Sequence, residues 1–339
     1  MISSGDLEMS ATQTSRRVRR SLLSVNDIDD SEMHRILRRS AEIKSNRAAV
    51  RDVLAGKCVG VYFRATSTRT RTSFTLGAQL LGAETVVYGP SDLQVNTGES
   101  LADTGRVLGG YLDVLVVRAA GSHDAVKSLD GGGTLPVINA MNDEEHPTQA
   151  LSDLFTLQEE RGALDGIKFL YVGEGNNTAT ALALSLSRFP GSEVTFLTPA
   201  GYGLPEPILR KAGENASAHE ARIRELHNPD DFKANVDVVY TTRWQTTGTS
   251  KPDPNWRRDF APFQVTTRLF ERVSNGGNAI LMHDLPAVRG EDVDSALLDG
   301  PRSIAFRQGH NKLYAAMALL EWIVESGPCS VRQGRQGQS

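Results

Sequence analysis

Cysteine is nearly absent from this chain of 339 residues, with only Cys58 and Cys329. Two cysteines so far apart make neither a disulfide framework nor a metal-type spacing. A reduced, cytosolic compartment is the expectation. Basic surplus is also missing: the net charge is −4. That leaves no broad cationic surface for nucleic acid. No apolar run approaches the roughly 18–20 residues that cross a bilayer, so no membrane partner is expected. No repeat recurs at a fixed period. The segment 1–20 is polar and ends in Ser15-Arg16-Arg17-Val18-Arg19-Arg20. It lacks the apolar stretch of a secretory signal and reads as a flexible arm. The tail 327–339 reads the same way.

What is present is alternation. Apolar strands are predicted at 58–63, 84–88, 113–117, 135–138, 167–172, 193–197, 236–240 and 279–283. Helical spacing is found over 27–44, 68–81, 99–109, 147–161, 177–188, 205–213 and 311–325. Strands alternating with helices predict an α/β protein with parallel sheets. The length suits about two domains. The pattern breaks near 161–166.

Several polar motifs interrupt these elements. Ser67-Thr68-Arg69-Thr70-Arg71-Thr72-Ser73-Phe74 sits between a strand and a helix. Hydroxyls there can cap the helix. Its first amides and dipole favour an anion, and Arg69 adds a fork that fits phosphate oxygens. Arg118 follows the strand 113–117, where a parallel sheet opens its ligand crevice. His146-Pro147-Thr148-Gln149 starts a helix, with Pro147 suited to its first turn. A histidine there tends to stay neutral and can polarise a carbonyl. Gly173-Glu174-Gly175-Asn176-Asn177 has Thr178 where a dinucleotide fingerprint needs its third glycine. A nicotinamide oxidoreductase is therefore disfavoured.

The octet 67–74 resembles the carbamoyl phosphate signature of the aspartate and ornithine carbamoyltransferase family. H-P-T-Q resembles the family's second signature, G-E-G-N-N its ornithine-type G-D-G-N-N, and His283-Asp284-Leu285-Pro286 its H-C-L-P or H-P-L-P. Gln308-Gly309-His310-Asn311-Lys312 resembles Q-x-E-N-R. The resemblance runs from about residue 21 to 325. It implies two doubly wound parallel-sheet domains joined by helices. A carbamoyl phosphate-binding domain over 21–150 would be completed by the helix 311–325. An amino-acid-binding domain would occupy 151–305. It also implies a homotrimer with active sites shared between subunits, and no metal or cofactor.

Residue by residue, the resemblance gives Ser67, Thr68, Arg69 and Thr70 to the phosphate. Arg118, His146 and Gln149 would hold and polarise the carbamoyl group. Leu285, before a cis proline, would offer backbone oxygen to its amide. Lys312 replaces the family arginine, keeping charge but losing the fork. Gln94 matches a glutamine that ornithine enzymes offer across the subunit interface. Asn177 matches the asparagine that binds the amino acid.

The acceptor is where the chain departs from its relatives. Residues 93–99 lack the serine and lysine of the aspartate enzymes' loop. In D-x-W-x-S-M-G of ornithine enzymes, Thr242 stands for the aspartate that grips the α-ammonium, and Thr246 and Thr247 for the S-M pair. Arg243 instead resembles an arginine of aspartate enzymes and could bind a carboxylate. A carboxylate has left 242 and one has appeared at 284. An ammonium in a partly desolvated pocket needs a counter-charge. Asp284 can supply it closer to the reacting carbon, which points to a short acceptor such as 2,3-diaminopropionate or 2,4-diaminobutyrate. A ureido amino acid would be the product. Asp284 could instead be a general base, or pair with a neighbour such as Arg289. The alternatives are an ornithine carbamoyltransferase of arginine biosynthesis and a non-catalytic binding protein of the same fold.

Overall fold

The computed structural model describes residues 20–246, 249–274 and 276–325. The tail 327–339, Thr247 and residues 1–19 of the expected arm lie outside them. Arg20, expected in that arm, is anchored. It pairs with Glu32, donates to the Asp27 carbonyl at 2.9 Å and lies over the Trp322 ring.

Two parallel sheets are present. The first contains β1 (Cys58–Phe63), β2 (Glu84–Tyr88), β3 (Val114–Arg118) and β4 (Val137–Met141), in the order β2-β1-β3-β4. The second contains β5 (Lys168–Val172), β6 (Glu193–Leu197), β7 (Arg222–Leu226), β8 (Val238–Thr241) and β9 (Ile280–His283). Its order is β7-β6-β5-β8-β9. Every pairing between these strands is parallel.

Helices fill the crossovers. In the first half they are α1 (Asp30–Ser45), α2 (Arg69–Leu80), α3 (Leu101–Leu108) and α4 (His123–Ser128). Between the sheets runs α5 (Pro147–Arg161). The second half holds α6 (Asn177–Leu186), α7 (Glu206–Ala218), α8 (Arg257–Phe260), α9 (Thr267–Val273) and α10 (Ser295–Leu298). The last helix is α11 (Ala305–Glu325). It returns to pack on α1, α2 and α5. Among the described residues, no helix is long and apolar enough to cross a membrane.

Local chemistry explains the boundaries. Asp29 and Glu32 form a reciprocal capping box that starts α1. At α2 the hydroxyl that meets the first turn is that of Ser67. Thr68 is helical and makes no side-chain cap, whereas Ser67 Oγ accepts the Arg71 N–H at 3.3 Å. Strand β7 escapes the sequence pattern because it is a charged edge strand, Arg-Ile-Arg-Glu-Leu. Helix α11 begins six residues earlier than predicted. Its first two turns bury Gln308, Asn311 and Lys312, and such polar residues obscure an apolar stripe.

One apolar cluster runs through both halves. Val59, Val61 and Phe63 of the first sheet and Phe169 and Tyr171 of the second all belong to it. Helix α5 is its bridge, with every residue from Pro147 to Leu157 buried.

Each sheet has a topological switch point. In the first it lies between β1 and β3, in the second between β5 and β8. Ligand crevices form there, beyond the carboxyl ends of the strands. The loop after β5 depends on glycine at 175. A Cβ on Gly175 would lie 2.3 Å from Gly203 C and 2.4 Å from Leu204 N, so the two backbones touch only because no side chain intervenes. Gly175→Ala should therefore destabilise the fold by about 1–3 kcal/mol. The check is a urea midpoint; an unchanged midpoint would show that the loops separate freely.

Candidate active site

The two switch points face one cleft of about 250 Å³. From the first half it receives Ser67, Thr68, Arg69 and Thr70, which follow β1, and Arg118, which ends β3. His146 and Gln149 enter from the start of α5, and Lys312 from α11. The second half adds Asn177 after β5, Thr242, Arg243 and Thr246 after β8, and Asp284 and Leu285 after β9. Fourteen sequence-selected residues thus share one cavity. Gln94 does not line it. It is exposed on a short 3-10 turn, where its Oε1 accepts the Thr97 hydroxyl at 2.8 Å.

Charge in the cleft is strongly one-sided. Arg69, Arg118, Arg243 and Lys312 face it against one lining carboxylate, Asp284. Burial and the neighbouring Arg69 pull Arg118 down to about 10, with Asp284 opposing them. Burial also lowers Arg69. Lys312 is depressed by burial, with Arg69 and Arg118 adding to it and the buried Asp153 opposing it. These cations destabilise one another until an anion arrives. Arg118 Nη1 donates to Ser67 Oγ at 3.4 Å, while its buried Nε has no partner among the described residues. Arg69 Nη2 donates to the Leu285 carbonyl, tying the first half to the second.

His146 is buried and held well below its ordinary pKa. Burial is the main cause, followed by Lys312, Arg118 and Arg69. The ring is neutral, with Nδ1 3.3 Å from Thr148 Oγ1. Behind it lies a buried polar network. Lys312 Nζ donates to Gln149 Oε1, and Gln149 Nε2 donates to Asp153 Oδ1 at 2.8 Å. Asp153 also accepts from Gln308 at 2.7 Å and from the Tyr240 hydroxyl at 2.8 Å. Lys312 therefore does more than carry charge: it orients Gln149.

The second-half wall is a relay. Asn176 Nδ2 donates to Thr242 Oγ1 at 3.3 Å, and Thr242 Oγ1 donates to both Asp284 oxygens at 3.1 Å. The vacated position and the new carboxylate are direct neighbours. Arg289 does not pair with Asp284; it is held by Asp299 at 2.6 and 2.8 Å. Asp284 stays directed at the cleft. The peptide between Leu285 and Pro286 is cis, and Leu285 has φ +53°. Its N–H donates to His283 Nδ1 at 2.8 Å, which leaves the other ring nitrogen towards Asp292.

Asn177 lines the cleft, but its side-chain amide donates to the Asn142 carbonyl at 2.7 Å. Asn176, passed over in the sequence, caps α6 through Thr178 and Ala179 and orients Thr242. Thr66 and Met141 also line the cleft and carried no motif signal.

Similarity to known proteins follows the same two halves. Residues 20–159 match the aspartate/ornithine carbamoyltransferase carbamoyl-P binding domain, and residues 165–323 match the Asp/Orn binding domain. The ornithine carbamoyltransferase of Acidothermus cellulolyticus is 37% identical over 307 residues, covering 91% of this chain and 97% of the relative. That of Methanobrevibacter smithii is 38% identical over 302 residues, covering 88% and 97%. The ornithine carbamoyltransferase structure from Pyrococcus furiosus superposes with TM-score 0.83 at 35% identity, covering 89% of this chain and 96% of that one.

The depressed His146 has a pH consequence. Above about pH 6.5 it is neutral both folded and unfolded. As pH falls below that, the unfolded chain binds a proton that the folded chain refuses, so stability is lost down to the depressed folded value. One such proton contributes a slope of about 1.4 kcal/mol per pH unit. His146→Gln should remove it. Urea unfolding of both proteins between pH 7 and 5 checks this; parallel curves would mean that His146 is protonated in the native cleft.

Proposed function

The chain belongs to the aspartate/ornithine carbamoyltransferase family and is a carbamoyltransferase; from that premise we propose how its residues divide the reaction and which amine it carbamoylates. The observation that carries the proposal is the cleft between the switch points. Arg69, Arg118, Lys312 and a neutral histidine line one side, and Asp284 lines the other together with Arg243.

Carbamoyl phosphate enters first. Its phosphate takes the first-turn amides of α2, the hydroxyls of Ser67, Thr68 and Thr70, and the Arg69 fork. Arg118, His146 and Thr70 donate to the carbonyl oxygen, where charge grows in the transition state. Gln149 and the Leu285 carbonyl hold the carbamoyl NH₂, with Lys312 steadying Gln149. The acceptor's neutral amine attacks the carbonyl carbon. The C–N bond forms, the C–O bond to phosphate breaks, and the amine proton leaves with phosphate or through Asp284. Positioning supplies much of the acceleration. Asn177, Thr242, Arg243, Thr246 and Thr247 are assigned to the amino acid.

For the acceptor, the relatives' names support ornithine, which would put the enzyme in arginine biosynthesis. A specific observation supports a second reading, a shorter diamino acid. The carboxylate reaches the cleft from Asp284, beside the carbamoyl-holding Leu285, and Thr242 is bonded to it. The experiment is incubation with carbamoyl phosphate and ornithine, 2,4-diaminobutyrate or 2,3-diaminopropionate, reading released phosphate. Ornithine turned over best supports the first reading; a shorter acceptor turned over best supports the second. No release with any amine would indicate a non-catalytic protein. Asp284→Asn should raise the KM of the preferred acceptor by about tenfold or more, because a charged partner is worth about 1.5–3 kcal/mol. A lowered kcat that recovers at higher pH would instead make Asp284 the general base.

Gln94 is assigned to the cleft of a neighbouring subunit in a homotrimer, since it is exposed and remote from its own. Mixing Gln94→Ala with Arg118→Ala subunits should then regenerate a fraction of competent sites. Verified subunit exchange without recovered activity would confine the site to one chain.

A further inference from the structure

Lys251 belongs to none of the motifs above, yet it is one of the most enclosed cations in the second half, with its side chain 4% exposed. Its ammonium lies 4.7 Å from the ring centres of Tyr202 and Phe260 and 5.4 Å from that of Trp256. Three aromatic faces attract a cation but do not replace its lost hydration. A desolvated ammonium needs a carboxylate. Glu174 supplies it: Lys251 Nζ donates to Glu174 Oε1.

The same carboxylate has a second partner. Thr246 Oγ1 donates to Glu174 Oε2 at 3.2 Å, and Thr246 lines the cleft. Glu174 is tied at its backbone, where the Tyr171 hydroxyl donates to its carbonyl at 2.7 Å. Thr249 N donates to the Thr246 carbonyl at 3.1 Å, and Gln245 Nε2 to the Thr249 carbonyl at 2.6 Å. A continuous chain of contacts thus links the aromatic box, through Lys251 and Glu174, to a hydroxyl at the acceptor end.

We propose that Lys251 is a positioning residue for the amino-acid acceptor. By holding the Glu174 carboxylate fixed, it commits the Thr246 proton to Glu174 and turns the oxygen lone pairs of Thr246 towards the acceptor's ammonium. It also occupies Glu174, which leaves Asp284 as the carboxylate that lines the cleft from that wall. The inference rests on the reading that the second half takes a diamino acid.

Lys251→Met tests it, because methionine fills the aromatic box without the charge. With the best acceptor from the amine panel, its KM should rise about five- to tenfold, the effect of one lost hydrogen bond. The kcat and the KM for carbamoyl phosphate should stay within about twofold. Lys251→Arg should restore most of the loss. Thr246→Val should give a similar rise, and adding Lys251→Met to it should change little, because both act through one contact. That non-additivity is what a merely structural lysine would not produce. Should Lys251→Met fail to fold, Glu174→Gln, which keeps the shape, takes its place in the cycle with the same expectation. An unchanged acceptor KM, additive effects, or equal changes for both substrates would overturn the inference alone. A wild type inert towards every amine would overturn the functional reading and the inference with it.

Discussion

Helix α5 must be buried on all sides, and that requirement organises the molecule. From Pro147 to Leu157 it exposes almost nothing, so it needs apolar partners from both sheets. Wedged between them, it sets where their carboxyl edges meet. Its amino end carries His146 and Gln149 into the gap. Helix α11 reinforces this by packing on α1, α2 and α5 and delivering Lys312 to Gln149. A cleft on so rigid a bridge can hold charges that would otherwise repel one another out of place.

Those charges define what the cleft does. Arg69 and Arg118 are partly desolvated and adjacent, and Lys312 is buried behind them. The first half therefore gains most from an anion that neutralises several cations at once. The histidine among them is kept neutral by burial first and by the same field second. It can donate to a carbonyl without adding charge. The opposite wall uses a different economy. Asp284 accepts from the Thr242 hydroxyl, itself oriented by Asn176, and lies 3.4 Å from His283 Nδ1. It still lines the cleft, where it can meet a further cation. A cationic first half suits an anion, and a second half with both Asp284 and Arg243 offers partners of either sign.

The aromatic box around Lys251 shows how the cleft wall at Thr246 is supported from behind. Trp256, Phe260 and Tyr202 enclose a lysine whose partner also receives the Thr246 hydroxyl. Such backing matters because loop residues alone hold a geometry poorly.

Much of the cleft was legible in the chain itself. The strand and helix alternation gave the parallel sheets, because a buried strand must read as a short apolar run. The octet at Ser67, the H-P-T-Q at His146 and the D-L-P at Asp284 were legible because each sits at a strand or helix end, where sequence neighbours are also spatial neighbours. The charged edge strand β7 was not, since half of it faces water. Nor was the early start of α11, whose buried polar residues answer to α5 rather than to a stripe. Tertiary structure alone decided that Arg289 goes to Asp299 and Thr242 to Asp284, and that Lys251 reaches Glu174 across 77 positions of chain. Hydrogen bonds and ion pairs of that kind depend on distance in space, which a one-dimensional pattern carries only for residues a turn or a strand apart.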